Sequence, residues 1–137
     1  MTPAMILMQG KTVMVTGANT GLGLEVARHA VRANATVILA CRSLPKCKAA
    51  TSTLGPRASS VHLDLNNLQS VERTSVALLA RLDDLHVLIN NAGVATQFPL
   101  TISPDGVETT FQVFSAMPRR RLTHSIPCHT HHTPPPP

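Results

Sequence analysis

Four short apolar runs constrain this chain more than any other feature: Thr12–Val15, Thr36–Ala40, Val61–Leu65 and Leu85–Asn90. They read as near-continuous apolar segments, the pattern of strands buried on both faces. Helix-like stretches separate them. Leu22, Val26, Ala27 and Ala30 predict a helix running to Ala33. Ser43 predicts a cap for a second helix, reaching about Leu54 and stopped by Gly55-Pro56. Asn66 or Asn67 caps a third, with Leu68, Val71, Ser75, Leu78, Leu79 and Leu82 on its inner face. Ser103-Pro104 reads as the cap and first-turn proline of a fourth, running through Phe111. The order β-α-β-α-β-α-β-α predicts an α/β fold with a doubly wound parallel sheet. Right-handed crossovers give the strand order 3-2-1-4. A complete sheet of this kind carries about six strands, so the sheet predicted here is incomplete.

That alternation ends near Val113. The expected division is a domain over residues 1–117 and a disordered Arg/His/Pro-rich tail over 118–137. The tail holds six of the eleven prolines and four of the seven histidines, and closes with Pro134 to Pro137. Consecutive prolines lack backbone donors and favour an extended conformation. Of the formal charge of +5, Arg119, Arg120 and Arg121 supply three. With no Trp, no Tyr and three Phe, no aromatic interleaves with these cations to stack bases, so nucleic-acid binding is not expected. Apolar residues at 43% and charged residues at 14% exclude a wholly disordered chain.

Three cysteines are too few and too scattered for a disulfide scaffold, which makes a reducing interior the default. Cys41 is expected in the packing and Cys47 on the surface. Cys128, His129, His131 and His132 form one short run instead of two separated ligand pairs, so no functional metal site is predicted. Asn34-Ala35-Thr36 fits a glycosylation sequon but leads into a predicted buried strand. No apolar run approaches the roughly 18–20 residues that span a bilayer, and no signal peptide is evident. The expected location is cytoplasmic.

The chemistry centres on Thr16-Gly17-Ala18-Asn19-Thr20-Gly21-Leu22-Gly23. This turn follows the first strand and opens the first helix, the context a dinucleotide site requires. Glycines permit a tight turn and close approach of a pyrophosphate, and the helix N-terminus offers unpaired N–H groups. Gly10-Lys11-Thr12 resembles the end of a P-loop, but position 5 is Met and the lysine precedes the strand, so that reading is rejected. Cys41-Arg42-Ser43 closes the second strand. An acid usually stands there to bind a ribose 2′-hydroxyl, yet none lies between Glu25 and Asp64. Arg42 is instead suited to a 2′-phosphate, which favours NADP over NAD.

These motifs resemble the short-chain dehydrogenase/reductase family, in its retinol-dehydrogenase-like and WW-domain-oxidoreductase-like branch. The resemblance runs from about Gly10 to Val113. It rests on "GKTVMVTGANTGLG", "ILACRS", the Asp64-Leu65 of "VHLDL", Asn90-Asn91-Ala92-Gly93 and "SPDGVETTFQV". It implies a Rossmann-like fold and NADP(H)-dependent alcohol–carbonyl interconversion on a small lipophilic or steroid/retinoid-like substrate. It places the cofactor at Gly17, Ala18, Asn19, Thr20, Gly21, Leu22, Gly23, Arg42, Asp64, Leu65, Asn91, Ala92 and Gly93. Asp64 would face the adenine, and the Asn90–Gly93 motif would stabilise the central strand along the cofactor.

The resemblance also implies catalysis by an acid/base tyrosine, tuned by a lysine and assisted by a serine and an asparagine. The chain has no tyrosine, and Lys11, Lys46 and Lys48 all precede the third strand. Relatives continue "FQV" with Asn-His, whereas Phe114-Ser115 stand here. No catalytic residue is therefore assigned. The expectation is a cofactor-binding half, a truncated product inactive alone. The alternatives are a silent subunit pairing with itself or a full-length relative through the exposed fourth-strand edge, and an unstable product.

Overall fold

The computed structural model describes residues 8–94 and 99–116. The expectations for the 118–137 tail, its arginines and its Cys/His run lie outside those residues. Eight elements alternate: β1 (Thr12–Thr16), α1 (Gly21–Arg32), β2 (Thr36–Cys41), α2 (Leu44–Ser52), β3 (Ala58–His62), α3 (Leu68–Leu79), β4 (Val87–Ile89) and α4 (Thr109–Ser115). The sheet is parallel and ordered β3-β2-β1-β4, as the crossover rule predicts. β1 and β2 are central and almost wholly buried.

Alternate residues of these strands build two cores. Val13, Val15, Val37 and Leu39 face α1 and α2, packing with Ala27, Cys47 and Ala50. Met14, Ile38 and Ala40 face the other way, against Leu63, Leu65, Leu78 and Val113. Burying each such Val, Leu or Met is worth roughly 1.5–3 kcal/mol, which fixes the strand register as well as the layers. No helix among the described residues is long and apolar enough to cross a membrane.

Several local expectations need correction. β3 is Ala58–His62, not Val61–Leu65: Ala58 pairs with Val37 and His62 with Cys41. This strand has one partner among the described residues and is only half-buried, so Ser59 and Ser60 fit where an apolar run was sought. Leu63 and Leu65 are buried just beyond it. β4 is three residues long, pairing over Val13–Val15 alone. Leu22, one of the apolar residues whose spacing predicts α1, is 73% exposed, and Leu68, expected on the inner face of α3, is also exposed. Ser70, Thr74, Ser75 and Leu78 form the buried side of α3. Thr74 Oγ1 donates to the His62 carbonyl at 2.7 Å and Ser75 Oγ to that of Val71 at 2.8 Å, so burial leaves neither hydroxyl unpaired.

The fourth helix begins at Thr109, not at Ser103-Pro104. Residues 103–107 form a turn, with Ser103 N donating to the Val107 carbonyl at 2.8 Å and Gly106 in the left-handed region at φ +79°. Ser103 Oγ accepts from Asp105 N and Val107 N, capping that turn instead of a helix. Glu108 is the true cap of α4, accepting from Thr110 N and Phe111 N.

Cys47 is fully buried rather than on the surface, because it faces the sheet from α2. Its sulfur is paired with that of Cys41 as a disulfide, the two Cα atoms 5.9 Å apart. The pair joins the end of β2 to the first turns of α2, which the sequence reading did not anticipate.

Candidate functional site

The C-terminal ends of β1, β2 and β4 meet at a cleft of about 340 Å³. In open α/β sheets ligands bind at these strand ends, where the connections diverge to opposite faces. Thr16 holds β1 to the segment after β4. Its buried Oγ1 accepts from Asn91 N at 3.1 Å and Ala92 N at 3.0 Å. Asn91 Nδ2 returns a bond to the Thr16 carbonyl at 3.0 Å and reaches that of Gly17 at 3.4 Å. Gly17 N donates to the Ala40 carbonyl at 2.8 Å, fastening the turn to β2 as well.

The glycines of the turn do separate jobs. Gly17 has φ +64°, and a Cβ there would meet Ala92 Cα at 2.8 Å. A Cβ on Gly23 would strike Asn91 Nδ2, and would lie 2.8 Å from the Gly17 carbonyl oxygen. Gly21, at φ +56°, faces open space. Thr20 makes no side-chain cap to α1, and Ser43 makes none to α2. By contrast, Asn67 caps α3 through Ser70 N at 3.0 Å, which decides between Asn66 and Asn67. Both uncapped helices start beside the cleft.

Of the residues expected at a cofactor, Gly17, Asn19, Thr20, Arg42, Asp64, Leu65, Asn91, Ala92 and Gly93 line this cleft. Ala18, Gly21, Leu22 and Gly23 do not. Ala18 is fully buried, Leu22 points to solvent, and Gly23 packs behind the turn. Asp64 Oδ1 accepts from Asn66 N at 2.9 Å, shaping the bend after β3 instead of capping α3.

Ser43, Lys46, Asn66, Thr109 and Val113 also line the cleft, and the sequence reading had not singled them out for it. Lys46 was findable, since a helix starting after Ser43 places it in the first turn beside Arg42. Neither cation forms an ion pair among the described residues. Thr109 and Val113 are one helical turn apart, but that spacing shows only once the start of α4 is known. Asn66 Oδ1 is a buried acceptor with no donor among the described residues, and so is Asn90 Oδ1. Phe114 comes within 3.3 Å of a Cβ built on Gly93.

A parallel sheet ordered 3-2-1-4, with a glycine turn between its central strand and first helix, defines a Rossmann-like α/β protein. Residues 11–117 match the family model described as short chain dehydrogenase, and the chain belongs to that family. It is 39% identical over 116 residues to human retinol dehydrogenase 13, covering 81% of this chain and 35% of that protein. It is 39% identical over 122 residues to the human WW domain-containing oxidoreductase, covering 82% and 29% of the two chains. The chain thus spans about a third of the length of these curated relatives. A metagenomic short-chain oxidoreductase solved in complex with NADP superposes with a TM-score of 0.75 at 27% identity, over 86% of this chain and 57% of that one.

Proposed function

We propose that the cleft binds a nicotinamide dinucleotide, with NADP(H) preferred over NAD(H). The observation that carries this reading is the convergence of the Gly17–Thr20 turn, Arg42 with Lys46, and Asp64 with Asn66 on one cleft. The uncapped start of α1 supplies backbone N–H donors suited to a pyrophosphate. Arg42 and Lys46 suit a 2′-phosphate, Arg42 with a planar donor fork and Lys46 as a point charge. The unpaired Asn66 Oδ1 suits a partner carrying an N–H donor, such as an exocyclic adenine amine. The NADP in the metagenomic oxidoreductase supports the same assignment.

When bound, such a dinucleotide supplies a nicotinamide that exchanges hydride with an alcohol or carbonyl carbon. In this reading the chain binds and orients that group: Asn91 and Thr16 hold the strand ends, and the glycine turn admits the phosphates. The proton-transferring part of the family mechanism needs a tyrosine, and the sequence has none. The chain alone is therefore proposed to bind without catalysing turnover. We keep residues 1–117 as the binding domain, 118–137 as a separate tail and a cytoplasmic location as parts of this proposal.

Calorimetric titration with NADPH and NADH, on wild type and Arg42→Ala, tests the reading. Wild type should prefer NADPH. Losing one charge-assisted bond should cost NADPH about tenfold in affinity and leave NADH nearly unchanged. Equal affinities of wild type for both nucleotides would remove the 2′-phosphate role. Failure to bind either would remove the nucleotide assignment.

A second reading is favoured by one observation. β4 pairs only with β1 among the described residues, and Leu100, Ile102, Phe111 and Phe114 are exposed. In that reading the chain associates with itself or a full-length relative across this side. Size-exclusion chromatography with light scattering separates a discrete dimer from a monomer or an aggregate.

A further inference from the structure

We propose that Cys41 and Cys47 form a reversible redox pair whose oxidation state sets the affinity of the neighbouring cleft for a 2′-phosphorylated dinucleotide. The coupling rests on the nucleotide reading above; formation of the pair does not.

The geometry comes first. Cys41 is the last residue of β2, and Cys47 lies in α2 on the face turned to the sheet. Their Cα separation of 5.9 Å falls within the range that a disulfide spans without backbone movement. The same position also serves the dithiol. Cys47 Sγ is 3.3 Å from the Leu39 carbonyl oxygen, the acceptor its hydrogen would use when reduced. The sulfur therefore has a partner in either state.

The consequence follows from what the pair encloses. The loop it closes contains Arg42, Ser43 and Lys46, and all three line the cleft. The backbone here is held by Cys47 N donating to the Ser43 carbonyl at 2.9 Å and Leu63 N to that of Cys41 at 3.0 Å, but among the described residues the side chains of Arg42, Ser43 and Lys46 add no hold of their own. Ser43 provides no side-chain cap, and the two cations have no ion-pair partner among the described residues. Closing the loop holds both cations at the cleft before a ligand arrives, which reduces the ordering cost of binding. Opening it restores that cost. A single pair inside a helix–strand connection is also too local to act as a scaffold. Where disulfides occur in reducing compartments, they are mostly transient and redox-sensing.

The oxidant is a hydroperoxide. One thiolate attacks the peroxide oxygen, breaking the O–O bond and giving a sulfenic acid, with water as the leaving product when the peroxide is hydrogen peroxide. The second thiol then displaces the sulfenic oxygen as water and forms the S–S bond. Two thiols lose two electrons and two protons, and one peroxide is reduced. A dithiol reverses the step by exchange. Both sulfurs are almost fully buried, so reaction waits on opening of the uncapped first turn of α2.

The test uses the full chain, reduced with dithiothreitol or oxidised with one equivalent of hydrogen peroxide, then desalted. Tryptic cleavage after Arg42 and Lys46 separates the two cysteines, so a peptide pair that persists without reductant reports the bond directly. Calorimetry then measures NADPH and NADH in each state. The expected result is the linked peptide only after oxidation, with NADPH bound about fivefold more tightly than in the reduced form and NADH changed less than twofold. Cys47→Ala should ignore peroxide, while Cys128→Ala should respond as wild type does. Absence of the linked peptide overturns the pair. A linked peptide with equal or weaker NADPH affinity overturns the coupling alone. No NADPH binding in either state overturns the nucleotide reading and the coupling together.

Discussion

Replacing Gly23 with alanine probes the fit of the glycine turn against the segment after β4. The added Cβ would strike Asn91 Nδ2 and come within 2.8 Å of the Gly17 carbonyl oxygen and 3.1 Å of Ala18 Cα. Two of these three atoms are backbone, so rotating one side chain does not relieve the contact. Overpacking of this kind costs about 1–3 kcal/mol. Displacing Asn91 also weakens its bond to the Thr16 carbonyl, about 1 kcal/mol more. Alanine in place of glycine in a helix returns about 1 kcal/mol. The net expectation is a loss of about 2 kcal/mol, or roughly 8–16 °C in melting temperature for a domain of this size. Gly55→Ala is the comparison: a Cβ there meets nothing within 4 Å, and only the φ of +86° opposes it. Its expected loss is about 1 kcal/mol. Thermal unfolding followed by far-ultraviolet circular dichroism measures both variants. A Gly23→Ala protein as stable as wild type would refute the claim that this glycine exists to let the turn and the Asn91 side chain approach.

Thr16→Val keeps the side-chain shape but removes the acceptor shared by Asn91 N and Ala92 N, so it should lose about 2–4 kcal/mol in denaturant unfolding. Thr16→Ser keeps the oxygen and should recover most of that loss; equal destabilisation by the two variants would contradict the role of the hydroxyl. Asn67→Ala removes the cap on Ser70 N and should cost about 1 kcal/mol, whereas Asn66→Ala should leave α3 unaffected.

The strongly periodic parts of the fold were legible from the sequence. β1 and β2 are buried on both faces, so their apolar runs announce them, and the glycine turn between β1 and α1 marks the cleft. Strand order then follows from handedness. The edge strand was misplaced because solvent on one side admits Ser59 and Ser60, erasing the apolar signal. Ser103-Pro104 misled because the same residues that start helices also start turns, and Gly106 decides between them only through its backbone conformation. At the site, Gly17, Asn19 and Thr20 of the turn and Arg42, Asp64, Leu65, Asn91, Ala92 and Gly93 after the strands line the cleft, whereas Ala18, Gly21, Leu22 and Gly23 do not. Thr109 and Val113 fall in the 103–113 stretch that the family resemblance gives to a helix lining the active site, but they are not named as cofactor residues because they reach the cleft from a helix distant in sequence. The Cys41–Cys47 pair was missed for a different reason: a six-residue separation says nothing of proximity until α2 is known to start at Leu44.

The central proposal is that the turn opening at Gly17, through Asn19 and Thr20, cradles a dinucleotide at the end of β1. Backbone amide NMR of the isotopically labelled chain, titrated with NADPH, tests it directly. The account predicts saturable shifts concentrated at Gly17–Leu22, with a second group at Arg42–Lys46 and Asp64–Asn66. Amides of the glycine turn that stay fixed while NADPH is added to excess would contradict it.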